Sequence, residues 1–209
     1  MSLAESWDRY AVGSEPRRSV NARGRTTWLN WTQYADHGPD EGVLGPLAGR
    51  RVLELGSGSG GNLAHLVTLG ATGRGVDVAP AREAVATERW GRLPGLAFRT
   101  AEATAYLTET DETFDVILSI FGAVWFVEPD TLLPLIRSRM APGGILAFSH
   151  LPPGGQRPGF GTAGLRHDHT PDEWTRMLTG HGFRDVRVSL IDPPAGRAVG
   201  TMLLRASAA

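Results

Sequence analysis

The sequence predicts a doubly wound α/β domain with a mostly parallel sheet, and three observations carry the prediction. From residue 50 onward, short apolar runs alternate with helical stretches, the mark of βαβ units. A glycine-rich turn, Gly56-Ser57-Gly58-Ser59-Gly60-Gly61, follows the first apolar run and leads into a helix. Near the end, Asp192-Pro193-Pro194-Ala195-Gly196 joins two apolar runs, so those two strands should pair antiparallel.

Taken in order, 51–55 is expected as the first strand, followed by a helix that Gly70 stops. A second strand over 73–78 and a helix over 80–90 come next, then a short third strand over 96–100. The run 114–120 is apolar enough for the centre of a sheet. A helix over 130–140 and a fifth strand over 144–149 follow. The stretch 152–164 is rich in glycine and proline, which excludes a regular element. Thr170, Pro171 and Glu173 then form a capping box with proline at the first helical position. That helix ends near Gly180 to Gly182, and strands over 184–191 and 198–205 close the domain.

Ahead of this pattern lies a leading segment, 1–48, with few aliphatic runs. Trp28, Trp31 and Tyr34 recur every third residue, which places them on one helical face. The expected organisation is a helical lid over 1–48 and a ligand-binding domain over 49–209.

Composition narrows the chemistry. The chain has 209 residues, is 41% apolar and carries a formal charge of −1, so no global field favours nucleic acid or an acidic membrane. It contains no cysteine, which excludes disulfides, thiolate metal sites and cysteine nucleophiles. All 21 basic residues are arginine, so there is no lysine for a Schiff base or a P-loop. No apolar stretch approaches the roughly 18 residues of a membrane span, and the start lacks a signal-peptide pattern. A cytoplasmic location and a small-molecule partner are expected, with no metal and with the oligomeric state open.

The glycine turn alone does not choose its ligand, because Gly56, Gly58 and Gly61 also satisfy the dinucleotide fingerprint. Glu54 argues against a dinucleotide: it lies two residues before Gly56, where dinucleotide folds usually carry an apolar residue, and can help orient an ammonium. Asp77, ending the second strand, is placed to accept from both ribose hydroxyls. Glu102, after the third strand, can accept from an adenine amine. Asp115 starts a strand below the site and is expected to be structural, as are His37, His65 and His181.

Those features, with Phe114-Asp115-Val116-Ile117 and Met140-Ala141-Pro142-Gly143-Gly144, resemble the ordered motifs of class I S-adenosylmethionine-dependent methyltransferases of the small-molecule branch. The resemblance spans residues 50–150. It implies a Rossmann-like sheet of seven strands with the last antiparallel. It also implies cofactor contacts at Glu54, Gly56, Ser57, Gly58, Asn62, Asp77, Val78, Glu102 and Ala103, with Ser119 and Ile120 beside the methionine moiety. Glu102 departs from the family, where aspartate is commoner. The implied reaction is methyl transfer from S-adenosylmethionine to oxygen or nitrogen of a metabolite, leaving S-adenosylhomocysteine.

Ligands in open α/β sheets lie beyond the carboxyl ends of the strands. Phe121, Trp125 and Phe126, with Trp28 and Trp31 from the leading segment, are therefore expected around the acceptor. An acceptor that must lose a proton needs a base, and a neutral histidine suits that. His150 is the first candidate, and His167 and His169 are the next. The competing functions are a nicotinamide-dependent oxidoreductase and a non-catalytic module that binds the cofactor.

Overall fold

The computed structural model describes residues 5–9, 18–155 and 166–209. Most of the expected glycine- and proline-rich stretch, along with 1–4 and 10–17 of the leading segment, lies outside them. Seven strands form one sheet: β1 (Arg51–Leu55), β2 (Thr72–Asp77), β3 (Leu96–Thr100), β4 (Phe114–Ile120), β5 (Met140–His150), β6 (Phe183–Ile191) and β7 (Thr201–Ala208). Their order is β3-β2-β1-β4-β5-β7-β6. Strands β1 to β5 pair in parallel, and β7 runs antiparallel to both β5 and β6. The order reverses between β1 and β4, which opens a crevice at their carboxyl ends.

The helices are α1 (Gly61–Thr68), α2 (Pro80–Trp90), α3 (Ala103–Glu109), α4 (Ala123–Phe126), α5 (Pro129–Ser138) and α6 (Pro171–Gly180). The capping box of α6 is present: Thr170 Oγ1 accepts from Glu173 N at 3.3 Å, and Glu173 Oε2 accepts from Thr170 N at 2.7 Å. Helices α3 and α4 were not expected. Neither has a capping side chain or an acidic first turn, so neither carries the usual start signal. Strand β5 starts earlier than expected, at Met140, because an irregularity in the β4 pairing between Phe114 and Val116 absorbs the Pro142-Gly143-Gly144 turn.

Alternating residues of the strands feed two cores. Leu53, Ile117, Leu146 and Leu204 face α3, α5 and α6, where Leu107, Leu133, Ile136 and Trp174 cover them. Val52, Val116, Leu118, Ile145, Ala147 and Leu203 face the other way. Helices α5 and α6 both lie on the first face, so the β4, β5 and β7 half of the second face needs another cover.

The leading segment supplies it. Leu29, Trp31, Leu44 and Leu47 join that second core, and Trp31 has no exposed surface. Polar contacts fix its course. Ser149 Oγ donates to Trp31 O at 2.6 Å, Trp31 Nε1 to Asp40 O at 3.1 Å, Tyr34 Oη to Val199 O at 2.7 Å and Arg205 Nε to Val43 O at 3.0 Å.

The expected helix carrying Trp28, Trp31 and Tyr34 is absent. That stretch is extended and irregular, and the helical parts of the described leading segment are 5–9 and the 3-10 turn Glu41–Leu44. Three-residue spacing fails as a helix signal here because Trp31 is held by the strand residue Ser149 and by the Asp40 carbonyl rather than by its neighbours in the spacing.

Trp31→Ala should behave as a core deletion, costing about 3–5 kcal/mol. For a chain of this size that is a fall of roughly 6–20 °C in melting temperature, measurable by scanning calorimetry. A shift below about 2 °C would show that Trp31 is not part of the core.

Candidate active site

The glycine turn is held from below and from the side. Gly56 N and Ser57 N both donate to Val76 O, at 2.7 and 3.0 Å. Gly56 has φ +82°, and a Cβ there would stand 2.6 Å from Gly122 Cα, so only glycine allows the β1 turn to meet the chain leaving β4. Asp77 secures the outer part: Oδ2 accepts from Gly58 N at 2.8 Å and Oδ1 from Ala79 N at 3.0 Å. Burial raises the Asp77 pKa above its ordinary value, and those backbone hydrogen bonds oppose the rise.

Over this turn lies a cavity of about 580 Å³, a size suited to a small-molecule ligand. Glu54, Gly56, Ser57, Gly58, Asn62, Asp77, Val78, Glu102, Ala103 and Ile120 all line it, as do Phe121 and Phe126. Glu54 is buried, and its Oε1 accepts from Asn62 Nδ2 at 3.3 Å. Asn62 Oδ1 in turn accepts from Asn30 N at 3.3 Å, linking the cavity floor to the leading segment. Phe121 lines the wall in the left-handed region, with φ +50°. Such backbone costs of order 1–3 kcal/mol and concentrates at ligand sites.

Several expected residues lie elsewhere. Ser119 is buried below the cavity, where Oγ donates to Leu55 O at 2.7 Å and accepts from Val124 N at 3.2 Å. It ties β4 to β1 and α4. Trp28 and Trp31 are buried in the leading segment, off the cavity wall.

Among the described residues, the leading segment brings the aromatic Trp7 to the cavity, and its ring meets Phe126 edge-on with centroids 4.7 Å apart. Its neighbour Asp8 accepts from Ala81 N at the start of α2, at 2.9 Å. The local sequence does not single out Trp7: its immediate neighbours Ser6 and Asp8 are polar, and Leu3 and Tyr10 at helical spacing mark only an apolar face. Arg82, which also lines the cavity, is one of two arginines on α2 and equally unmarked.

Trp125 stands one layer behind the wall, 1% exposed, with Phe121 and Phe126 in front of it at centroid distances of 5.9 and 5.1 Å. Its Nε1 donates to Asp168 Oδ1 at 2.9 Å, and His167 N donates to its carbonyl at 2.9 Å. His167 also sits 3.5 Å from Glu128, so it grips the end of α4 rather than lining the cavity.

His150 stacks on Trp125 at 5.4 Å, fully buried. Its Nδ1 lies 2.6 Å from Leu151 O. A carbonyl only accepts, so Nδ1 carries the proton and Nε2 is bare. Desolvation lowers the His150 pKa to about 4, against the favourable pull of the Leu151 carbonyl. His150 therefore has the neutral state a base requires, but it and His169 stand behind the cavity wall rather than on it.

Residues 53–148 match the model of a methyltransferase domain. Over that stretch the chain is similar to the class I S-adenosylmethionine-dependent methyltransferases. A ubiquinone biosynthesis O-methyltransferase of Dinoroseobacter shibae is 29% identical over 169 residues, 73% of this chain and 67% of that protein. A probable phthiotriol/phenolphthiotriol dimycocerosates methyltransferase of Mycobacterium ulcerans is 34% identical over 109 residues. That match spans 51% of this chain and only 42% of the relative.

Among solved structures, the magnesium protoporphyrin IX methyltransferase of Synechocystis PCC 6803 with bound S-adenosylhomocysteine superposes with a TM-score of 0.59 at 17% identity. It covers 79% of this chain and 77% of its own. A Haemonchus contortus phosphoethanolamine N-methyltransferase gives 0.66 at 17% identity, over 79% of this chain and 50% of its own. These structures share the methyltransferase fold. No helix among the described residues is long and apolar enough to cross a membrane.

The buried histidine makes the methyltransferase domain sensitive to acid. Unfolded, His150 takes up a proton near its ordinary value of 6.5; folded, it does so only near 4. Between these values the unfolded chain binds more protons, so stability rises with pH and is lost as pH falls through the window. The gap corresponds to roughly 3 kcal/mol. Urea unfolding at pH 7 and pH 4.5 should show His150→Phe losing about 2–3 kcal/mol less on acidification than the parent protein. Equal losses would mean that His150 titrates normally in the fold.

Proposed function

We propose that this chain transfers a methyl group from S-adenosylmethionine to oxygen or nitrogen of a small-molecule acceptor. The observation that carries the reading is Asp77, held at the rim of the cavity by two backbone amides directly beside the glycine turn. Each of its carboxylate oxygens keeps acceptor capacity after those bonds, which suits a pair of vicinal ribose hydroxyls. The glycine cradle fits the cofactor, because a Cβ at Gly56 would meet Gly122 and close the turn against α4. Glu54 is assigned to the amino acid end of the cofactor, and Glu102 with Ala103 to its adenine.

When bound, the cofactor supplies a methyl group on a sulfonium, whose departure as a neutral thioether needs no acid. The protein's task is then to hold the acceptor in line with the methyl and to exclude water, and positioning of this kind can supply several kcal/mol. Phe121, Phe126 and Trp7 form the apolar side of the cavity, and residues 5–9 are assigned the covering role. The related O-methyltransferase in quinone biosynthesis supports a small, partly apolar acceptor, of the kind met in biosynthesis.

Calorimetry should detect binding of S-adenosylhomocysteine and little or none of a nicotinamide dinucleotide. The opposite preference would reassign the cavity to an oxidoreductase. Asp77→Ala removes charge-assisted hydrogen bonds of roughly 1.5–3 kcal/mol, so it should weaken S-adenosylhomocysteine about ten- to a hundredfold. A variant that binds as tightly as the parent would remove Asp77 from the ribose role.

A further inference from the structure

Among the described residues, the charged side chains that line the cavity are four acids, Glu54, Asp77, Glu102 and Glu128, and one base, Arg82. The cofactor reading uses the first three acids, and the positive charge of Arg82 acts on Asp77, at the ribose end. Glu128 is left over, at the other end of the cavity. It precedes α5, but its side chain caps no amide of that helix. It faces His167 Nδ1 at 3.5 Å, which is long for a hydrogen bond. Its side chain is 59% exposed, so the carboxylate stands at the cavity mouth, where a ligand can reach it.

The surroundings of Glu128 select the ligand. Phe126, Val127 and Glu128 succeed one another along the wall, Phe121 shares that wall, and Trp7 meets the Phe126 ring at 4.7 Å. Aromatic faces are negative and attract a cation, and a carboxylate beside them adds an ionic partner. An anionic acceptor would meet Glu128 with no base to offset it among the described residues of this wall. The chain has no lysine. Arg166 lies over Trp125, off the cavity, and Asp168 already matches its charge at 3.4 Å.

Resting on the methyl-transfer reading, we propose that the methyl acceptor carries an ammonium group, which Glu128 binds at the cavity mouth beside Phe126 and Trp7. Glu128 is then a specificity-determining residue, because it fixes the cationic end of the acceptor and leaves the other end to face the glycine turn. An ammonium has no lone pair, so the oxygen or nitrogen that receives the methyl is a second group of the same molecule.

The test uses the full chain saturated with S-adenosylhomocysteine, and three probes that share one phenyl ring: benzylamine, benzyl alcohol and benzoate. Resonance titrations at pH 7 should show protonated benzylamine binding about tenfold more tightly than benzyl alcohol, with benzoate weakest. Glu128→Gln should weaken benzylamine about fivefold and leave benzyl alcohol unchanged. Glu128→Lys should reverse the order, so that benzoate binds above benzylamine. His167→Ala should keep the parent preference, because the imidazole is not the ligand's partner.

Equal binding of benzylamine and benzyl alcohol, a benzylamine preference that survives Glu128→Gln, or an order unchanged in Glu128→Lys would each overturn the proposal. A preference lost equally in His167→Ala would also overturn it, by showing that Glu128 only braces the wall. Normal S-adenosylhomocysteine binding with no preference for benzylamine removes the ammonium site alone. No S-adenosylhomocysteine binding removes the methyl-transfer reading and the ammonium site with it.

Discussion

Gly56 and Gly122 touch backbone to backbone, and the shape of the cavity depends on that contact. It brings the turn after β1 against the start of α4, so two loops from neighbouring strands share one wall. Ser119 reinforces the joint by bonding both Leu55 O and Val124 N. Asp77 then fixes the far side of the same turn through Gly58. Three short polar contacts and one pair of glycines thus set the distance between the strand ends, and a ligand meets amides already in position.

The second constraint is the uneven winding of the sheet. Helices α5 and α6 both pack on one face, which leaves Ile145, Ala147 and Leu203 on the other without a helix. An irregular segment covers them with Trp31, Leu29 and Leu44, and its carbonyls take hydrogen bonds from Ser149 and Arg205. Backbone outside regular structure must find partners when it is buried, and here strand side chains serve. The same segment reaches the cavity floor through Asn30 and Asn62, so cover and site are joined.

Behind the cavity wall, Trp125 couples two regions distant in sequence. It belongs to α4, yet Asp168, His167 and Arg166 hold it from the far side of β5. The histidines that follow β5 therefore act first on the wall and on the buried corner behind it, rather than directly on the cavity. Desolvation keeps His150 neutral, which suits a buried acceptor of hydrogen bonds and makes it costly to charge.

The sequence by itself determined the sheet, its parallel core and terminal antiparallel pair, and the residues at the glycine-turn end of the cavity. Those features are local: strand, turn and helix adjoin in the chain, so Glu54, the glycine turn, Asp77 and Glu102 fall into place once β1, β2 and β3 pair. Tertiary structure alone decided the aromatic side of the cavity. Trp28 and Trp31 carry the same apolar chemistry as Trp7, and what separates them is which surface each one meets. Trp31 meets the uncovered half of the sheet and disappears into the core, whereas Trp7 meets Phe126 across the cavity. His150 likewise ends a strand as expected, but only the packing of Trp125, Phe148 and Trp174 around it decides that it is buried, neutral and behind the wall. Periodicity reports which residues prefer burial; the partner that buries each one comes from elements far away in the chain, and no local pattern records it.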